Sequence, residues 1–467
     1  MKETQSQLKL PGVPRHSGAK QGREVPPKWD WTEASVWTER MLETLERGIK
    51  GGKWFSLIDK VWKMENLQSA LKTVVQNKGA AGVDGQKAEP YLRESPRRLE
   101  QVQDMLRKGG YTPQPVKRVW IPKLGSKELR PLGVPAVEDR VVQTALRNVI
   151  EPVFENIFAE HSYGFRPGRG AKDALRRVDQ LLDKGRVWVV DADLKGYFDS
   201  IPQDKLMALV AEHIADRPLL ELIQRFLKQG VMESGKGWQP TETGTPQGAV
   251  ISPLLANIYL NPLDHLMAHG GREMVRYADD FVILCQSENE ARETLEQLRQ
   301  WVAGGGLTLH PDKTRIVNAS NKGGFDFLGY HFERGHHWPR QKSLDKFRET
   351  IRQKTGRLRP GSMEDITTEV NRTLRGWFEY FKHSLSNVFE REDQWVRGRL
   401  RAILRTRHKG HGRARGLDHQ RWPNAYFADL GLFSLAIARA QAIQSRKRTT
   451  DWKAGCPKWA CPVWREG

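Results

Sequence analysis

The chain has 467 residues, more than one hydrophobic core usually organises, so it should divide into packed units and is no small stapled module. With 76 Lys and Arg against 56 Asp and Glu its net charge is +20 and its pI near 9.8, which favours a polyanionic partner, nucleic acid first. Three cysteines, Cys285, Cys456 and Cys461, exclude a disulfide framework and suit a reducing, cytoplasmic compartment, and no stretch approaches the roughly 18 apolar residues of a membrane span.

Residues 1–50 are predicted to be a flexible leader without an apolar signal core, followed by a helical extension over TEASVWTERMLETLERGIKG. NLQSALKTVVQNKGAAGVDG reads as a helix running into a Gly-rich loop. VKRVWIPKLGSKELRPLGVP reads as two short strands around a Gly-Ser turn, a basic hairpin carrying Lys117, Arg118, Lys123, Lys127 and Arg130. A helix follows through EDRVVQTALRNVIEPVFENIF, and HSYGFRPGRGAKDAL is a loop into another. In RVWVVDADLKGYFDSI the run VWVV is apolar and β-branched enough for a buried strand, with Asp191 and Asp193 at its end. MVRYADDFVIL, residues 274–284, is a second apolar run, broken by Asp279 and Asp280.

Further on, DKFRETIRQKTGRL, ITTEVNRTLRGWFEYFKHSL and QWVRGRLRAILRTRH have helical spacing and predict a three-helix unit. Residues 341–467 hold 27 Lys and Arg against 13 Asp and Glu, so +14 of the +20 lies in the last quarter of the chain. Arg372, Arg375, Lys382, Arg397, Arg399 and Arg401 would supply basic faces toward phosphate, whereas Trp377 and Phe381 read as core.

The carboxylates need explaining, because a buried carboxylate is costly unless it is protonated, paired with a cation or bound to a metal. Asp-Asp by itself is equally a surface turn closing a hairpin. Two apolar strands that each deliver acids change that reading. If the strands are neighbours, Asp193 and Asp279 would hold two Mg²⁺ ions roughly 3.5–4 Å apart, the arrangement of two-metal phosphoryl transfer, with Asp280 completing or tuning the cluster.

YADD at 277–280 together with DLKGYFD at 193–199 resembles the palm of a reverse transcriptase. IPKLGSKELRPLGVPAVEDRVVQ, HSYGFRPGRGAKDAL, GTPQGAVISPLLANIYL, LTLHPDKTRI and FDFLGYHF resemble, in order, the successive blocks of bacterial group II intron-encoded reverse transcriptases. LRGWFEYFKHS and WPNAYFADLGLFSL resemble that family's thumb and maturase region.

The resemblance implies an α+β right-hand polymerase with mixed fingers, an antiparallel-sheet palm and a helical thumb. It implies fingers and palm over 51–335, thumb and maturase over 336–445, and a basic tail over 446–467. Asp193, Asp279 and Asp280 would be the catalytic carboxylates and metal ligands, joined by the Leu194 carbonyl. Phe198 would crowd the sugar 2′ position, with core packing as its plain alternative. Lys123 and Arg130 would hold the dNTP triphosphate, with general RNA contact as the alternative, and Gln247 and Gly248 would lie beneath the nascent pair. Lys313 would protonate the leaving pyrophosphate, FDFLGY would be the primer grip, with palm core as the equal alternative for Phe325, Phe327 and Leu328, and Arg166 and Arg169 would contact template backbone.

The activity implied is RNA-directed DNA synthesis from a DNA primer on an RNA template, with intron RNA bound to assist splicing and target DNA receiving the product. Many members append an HNH endonuclease whose zinc framework needs two cysteine pairs. Cys456 and Cys461 are a single pair, so neither the endonuclease nor structural zinc is expected, and mobility would use DNA already nicked or single-stranded. Two rival readings stand beside this one. One is an RNA-binding splicing cofactor that does not polymerise, and the other is a domesticated enzyme of DNA repair or phage defence.

Overall fold

The computed structural model describes residues 27–49, 51–122, 129–412 and 416–444. The start of the leader, Lys123 and Lys127 of the basic hairpin, and the tail with Cys456 and Cys461 lie outside the described residues. Among the described residues eleven strands form three sheets. In chain order they are β1 (Val116–Pro122), β2 (Leu129–Val134), β3 (Trp188–Asp193), β4 (Val231–Glu233), β5 (Gly237–Gln239), β6 (Glu273–Tyr277), β7 (Asp280–Cys285), β8 (Arg315–Asn318), β9 (Phe325–Phe327), β10 (Tyr330–Glu333) and β11 (His336–Pro339).

The palm sheet has the order β6-β7-β3-β8, with every pairing antiparallel. β3 and β7 lie at its centre, and Val189, Val190, Phe281, Val282, Ile283 and Leu284 are completely buried, which is why both strands read as unbroken apolar runs. Helices Ser252–His269 and Glu288–Gly304 join one core with Val190, Phe281 and Ile283, whereas Val189, Val282 and Leu284 face a second core shared with helix Ala171–Asp183 and the strands β9 and β10. The sheet is thus covered on both faces, and only its ends reach solvent.

The fingers sheet has the order β2-β1-β4-β5. The basic hairpin β1–β2 is antiparallel, and the short β4–β5 hairpin extends it through a parallel pairing of β1 with β4. Helices Met64–Gln76, Ala88–Arg107 and Val137–Glu155 pack together in the large core. β9, β10 and β11 form a small antiparallel sheet leading into helices Gln341–Lys354, Met363–Phe381 and Ser386–Arg407, which share their own core. Phe381 is buried and Trp377 packs against that core, as their helical spacing predicts. The arrangement is a right-hand polymerase, with mixed fingers, an antiparallel palm and a helical thumb.

Candidate active site

Register brings the acids together. Asp193, the last residue of β3, lies opposite Asp280, the first of β7, while Tyr277 pairs with Asp280 across a two-residue turn of Ala278 and Asp279. Asp-Asp is therefore both a hairpin turn and part of the acidic edge of a buried sheet. Burial raises the Asp279 carboxyl above the usual range, and Asp193 adds to it against partial relief from Arg130 and Arg276. Asp280 is open to solvent on one side, but protein crowds it on the others; that crowding, then Asp279 and Asp191, push it up to about 7.

One cation already answers this charge. Lys313 Nζ donates to Asp193 Oδ2 at 2.6 Å, and Arg315 Nε, two residues on at the start of β8, donates to Asp191 Oδ2 at 3.2 Å. Leu194 forms an isolated antiparallel bridge with Leu309, held by His310 N to Asp193 O and Lys195 N to Thr308 O, and neither bond uses the Leu194 carbonyl. Among the described residues no three acidic, His or Cys side chains close into a ready-made metal cage. The donors at this edge are nevertheless all oxygen, the chemistry of a hard divalent cation, and the repulsion among Asp193, Asp279 and Asp280 is what such a cation would relieve.

The turn that carries Asp279 is held from beneath by residues that sequence reasoning missed. Ala278 has a φ of +60°, a conformation that costs a non-glycine residue and persists only when its surroundings over-determine it. Arg276 is 0% exposed and grips the Asp264 carboxylate with Nε and Nη2, while its Nη1 donates to Asn257 Oδ1 at 2.8 Å and to the Ala278 carbonyl at 2.9 Å. Asn257 Nδ2 in turn donates to the Gly164 carbonyl at 2.7 Å. A Cβ on Gly164 would lie 2.3 Å from the Ala278 amide, so only glycine lets the HSYGFRP loop press against this turn. The signal was present: Arg276 stands inside an apolar strand, and Asp264 and Asn257 on a helix of otherwise largely apolar residues.

Across the cleft, Arg130 Nε donates to Gln247 Oε1 at 3.1 Å, and Gln247 Nε2 donates to Asp199 Oδ2 at 3.0 Å. The loop bearing Gln247 is fixed on both sides. Gly133 N donates to the Gln247 carbonyl at 2.6 Å, and the fully buried Gln143 accepts from Val250 N and Ile251 N. Gly248 has a φ of +101°, and a Cβ there would lie 2.5 Å from the Gly133 carbonyl, so the fingers strand and this loop meet only through glycine. Phe198 is nearly buried beside Tyr197, whose hydroxyl donates to the Ala256 carbonyl at 2.6 Å as a packing residue.

The basic residues separate into two groups. Arg166, expected on template backbone, is instead buried: it grips Glu155 with Nε and Nη2 and donates from Nη1 to the carbonyls of Ala159 and Ser162. Only one of its five N–H donors is left, so its guanidinium is spent on anchoring the loop. Arg401 is likewise no surface cation, being 3% exposed, bonded to the Trp422 carbonyl and Asn424 Oδ1, and set over the Phe427 ring. Arg399 spends its donors on Thr355 and the Arg352 carbonyl, at the end of helix Gln341–Lys354. Arg169 bonds to the Glu160 carbonyl and lies over Tyr163, Arg372 and Arg375 are exposed on the thumb, Lys382 pairs with Glu379, and Arg397 is half-buried.

This geometry defines the class: a right-hand nucleic-acid polymerase with its acids at one end of the palm sheet. The chain belongs to the group II intron-encoded reverse transcriptase and maturase family. Residues 121–332 match the family described as reverse transcriptase (RNA-dependent DNA polymerase), and residues 344–422 match the group II intron, maturase-specific domain. Protein YkfC of Escherichia coli (strain K12) is 34% identical over 343 residues, covering 65% of this chain and 85% of that protein. Group II intron-encoded protein LtrA of Lactococcus lactis subsp. cremoris is 40% identical over 199 residues, covering 42% of this chain and only 32% of its own length. A solved chain of a partial Cas6-RT-Cas1–Cas2 complex is 23% identical, with a TM-score of 0.35, covering 53% of this chain and 42% of that one. Reverse transcriptases act on nucleic acid with divalent metal, and no described helix is long and apolar enough to cross a membrane.

Proposed function

We propose that this chain copies RNA into DNA by adding dNTPs to a primer 3′-hydroxyl, and that it binds its intron RNA to assist splicing and retrohoming into target DNA in the cytoplasm of a bacterial cell. The observation that carries the reading is the convergence of Asp193, Asp279 and Asp280 at one sheet edge, facing Arg130 across the cleft.

Two Mg²⁺ ions, held by Asp193, Asp279, Asp280 and the Leu194 carbonyl, would lower the pKa of the attacking hydroxyl and neutralise charge on the leaving oxygens. The primer oxygen bonds to the α-phosphorus in line as the bond from that phosphorus to the β-bridging oxygen breaks. Arg130, with Lys123, holds the triphosphate, and Gln247 hands its amide from Arg130 and Asp199 to the nucleotide. Phe198 closes the space a ribose 2′-hydroxyl would need. Lys313, whose Nζ donates to Asp193 Oδ2 here, is the group that would supply a proton to the leaving pyrophosphate. Exposed Arg372 and Arg375, with Arg397 and Lys382, carry intron RNA on the thumb, giving affinity that falls steeply with salt.

The test is dNTP incorporation on a primed RNA template with Mg²⁺, with RNA binding followed in parallel. Asp279→Ala should lose about a thousandfold or more in extension and keep its binding. Wild-type protein that binds RNA tightly yet never extends a primer, on RNA or DNA templates, would replace this reading with that of an RNA-binding splicing cofactor.

A further inference from the structure

The turn between β9 and β10, expected from the sequence to be the primer grip, meets the start of the thumb at Arg340. Leu328, between β9 and β10, has a φ of +45°, and this turn is pinned from the thumb side. Tyr380 Oη donates to the Leu328 carbonyl at 2.8 Å, and Tyr330 Oη donates to the Tyr380 carbonyl at 2.7 Å. Ser343 Oγ and the Arg340 amide both donate to the Gly329 carbonyl at 3.0 Å. Arg340 is the N-cap residue of helix Gln341–Lys354, so its main chain is fixed to the turn and to the thumb at once.

Its side chain is fixed to neither. Among the described residues the Arg340 guanidinium makes no hydrogen bond and no ion pair, and its Nε is buried without a partner. It nevertheless lies within electrostatic reach of the Asp280 carboxylate and the Tyr380 phenol. Only its Nε is buried, so its Nη donors face solvent with no protein partner and are available to an anion that arrives there. Asp280 does not complete it, since no ion pair forms, and the triphosphate is claimed from the opposite wall by Arg130.

We propose that Arg340 binds a phosphodiester of the primer strand close to its 3′ end, placing the terminal hydroxyl against Asp193 and Asp279. The assignment rests on the polymerase reading above and extends it: the primer is held by a charged donor as well as by the shape of the turn. A guanidinium suits this task because its planar fork meets two phosphate oxygens at once, which a lysine cannot do.

The experiment compares wild type with Arg340→Gln on an RNA template whose DNA primer carries a neutral methylphosphonate at one of its last four linkages in turn. Arg340→Gln should weaken primer–template binding about tenfold, lower the slope of log affinity against log salt by about one, and leave the KM for dNTP unchanged. At one linkage the methylphosphonate should cost wild type that same factor and cost Arg340→Gln nothing more. Arg340→Lys should restore the salt slope without the full affinity, which separates a lost contact from a damaged fold. Equal methylphosphonate costs in wild type and Arg340→Gln at every linkage, or an unchanged salt slope, would overturn the inference while primer extension by wild type leaves the polymerase reading standing. Wild type that binds and never extends overturns the polymerase reading itself.

Discussion

The palm hairpin β6–β7 and the fingers hairpin β1–β2 face the same cleft and are built on opposite rules. In the palm the strand residues are buried, the turn is strained at Ala278, and Arg276, Asp264 and Asn257 lock it with hydrogen bonds that never reach solvent. In the fingers Val119, Trp120, Ile121 and Leu129 stand exposed on the strands, and the side chain of Arg130 is bonded to Gln247. The difference is one of where polar groups find their hydrogen bonds: among buried partners in the palm, and in solvent-exposed bonds among Arg130, Gln247 and Asp199 at the fingers.

The contrast breaks most sharply at its two arginines. Arg276→Met leaves Asp264 buried and unpaired, which should cost about 3–5 kcal/mol of stability and abolish extension together with it. Arg130→Ala should leave the denaturation midpoint within about 0.5 kcal/mol of wild type and raise the KM for dNTP instead. Equal loss of stability in the two variants, followed by chemical denaturation, would show that the fingers are as internally locked as the palm.

A smaller effect is expected where the two regions meet. Gly248→Ala forces a Cβ against the Gly133 carbonyl and Leu132 in a conformation that alanine rarely adopts, at about 1–3 kcal/mol. Because the strain falls on the joint between the fingers strand and the Gln247 loop, extension should fall by more than the stability loss explains. Steady-state kinetics at a temperature well below unfolding would separate the two.

Much of this was legible in the residues, and the failures have a common cause. β3 and β7 announced themselves because apolar β-branched runs ending in acids admit few other structures, and the thumb helices because their apolar spacing is regular. Arg166 and Arg401 were misread as surface cations. Their partners include backbone carbonyls, along with Glu155 for Arg166 and Asn424 for Arg401, and a carbonyl leaves no trace in the sequence that tells a buried guanidinium from an exposed one. The β4–β5 hairpin was invisible for the opposite reason: its strands are three residues long and lack an apolar alternation.

The thumb turns that failure into a measurement. Arg401→Ala should cost about 1–3 kcal/mol, the price of leaving its carbonyl and amide partners unmet, with no change in the salt dependence of RNA binding. Arg397→Ala, on the same helix, should leave stability within about 0.5 kcal/mol and lower the salt slope by about one. A change of slope in Arg401→Ala would return that residue to the RNA surface.

The variant expected to be mildest near pH 4 tests how the fingers carry a buried acid outside the active site. Asp139 is almost completely buried at the start of helix Val137–Glu155, accepting from Tyr111 Oη at 2.7 Å and from Gln114 N at 3.1 Å. Burial outweighs both donors and pushes its carboxyl up to about 7. The unfolded value is about 3.9, so between these limits the native state holds a proton that the unfolded chain has released, and stability falls as pH rises. Below about 4 the group is protonated in both states and its contribution is complete; above about 7 it is ionised in both and that contribution is gone. Asp139→Asn keeps the shape and can accept from Gln114 while donating to the Tyr111 oxygen. Denaturation midpoints from pH 4 to 8 should therefore fall less steeply in the variant than in wild type, the gap growing up to about pH 7 and then holding constant. Parallel profiles would mean that the protein ionises Asp139 at no cost, its two hydrogen bonds offsetting its burial.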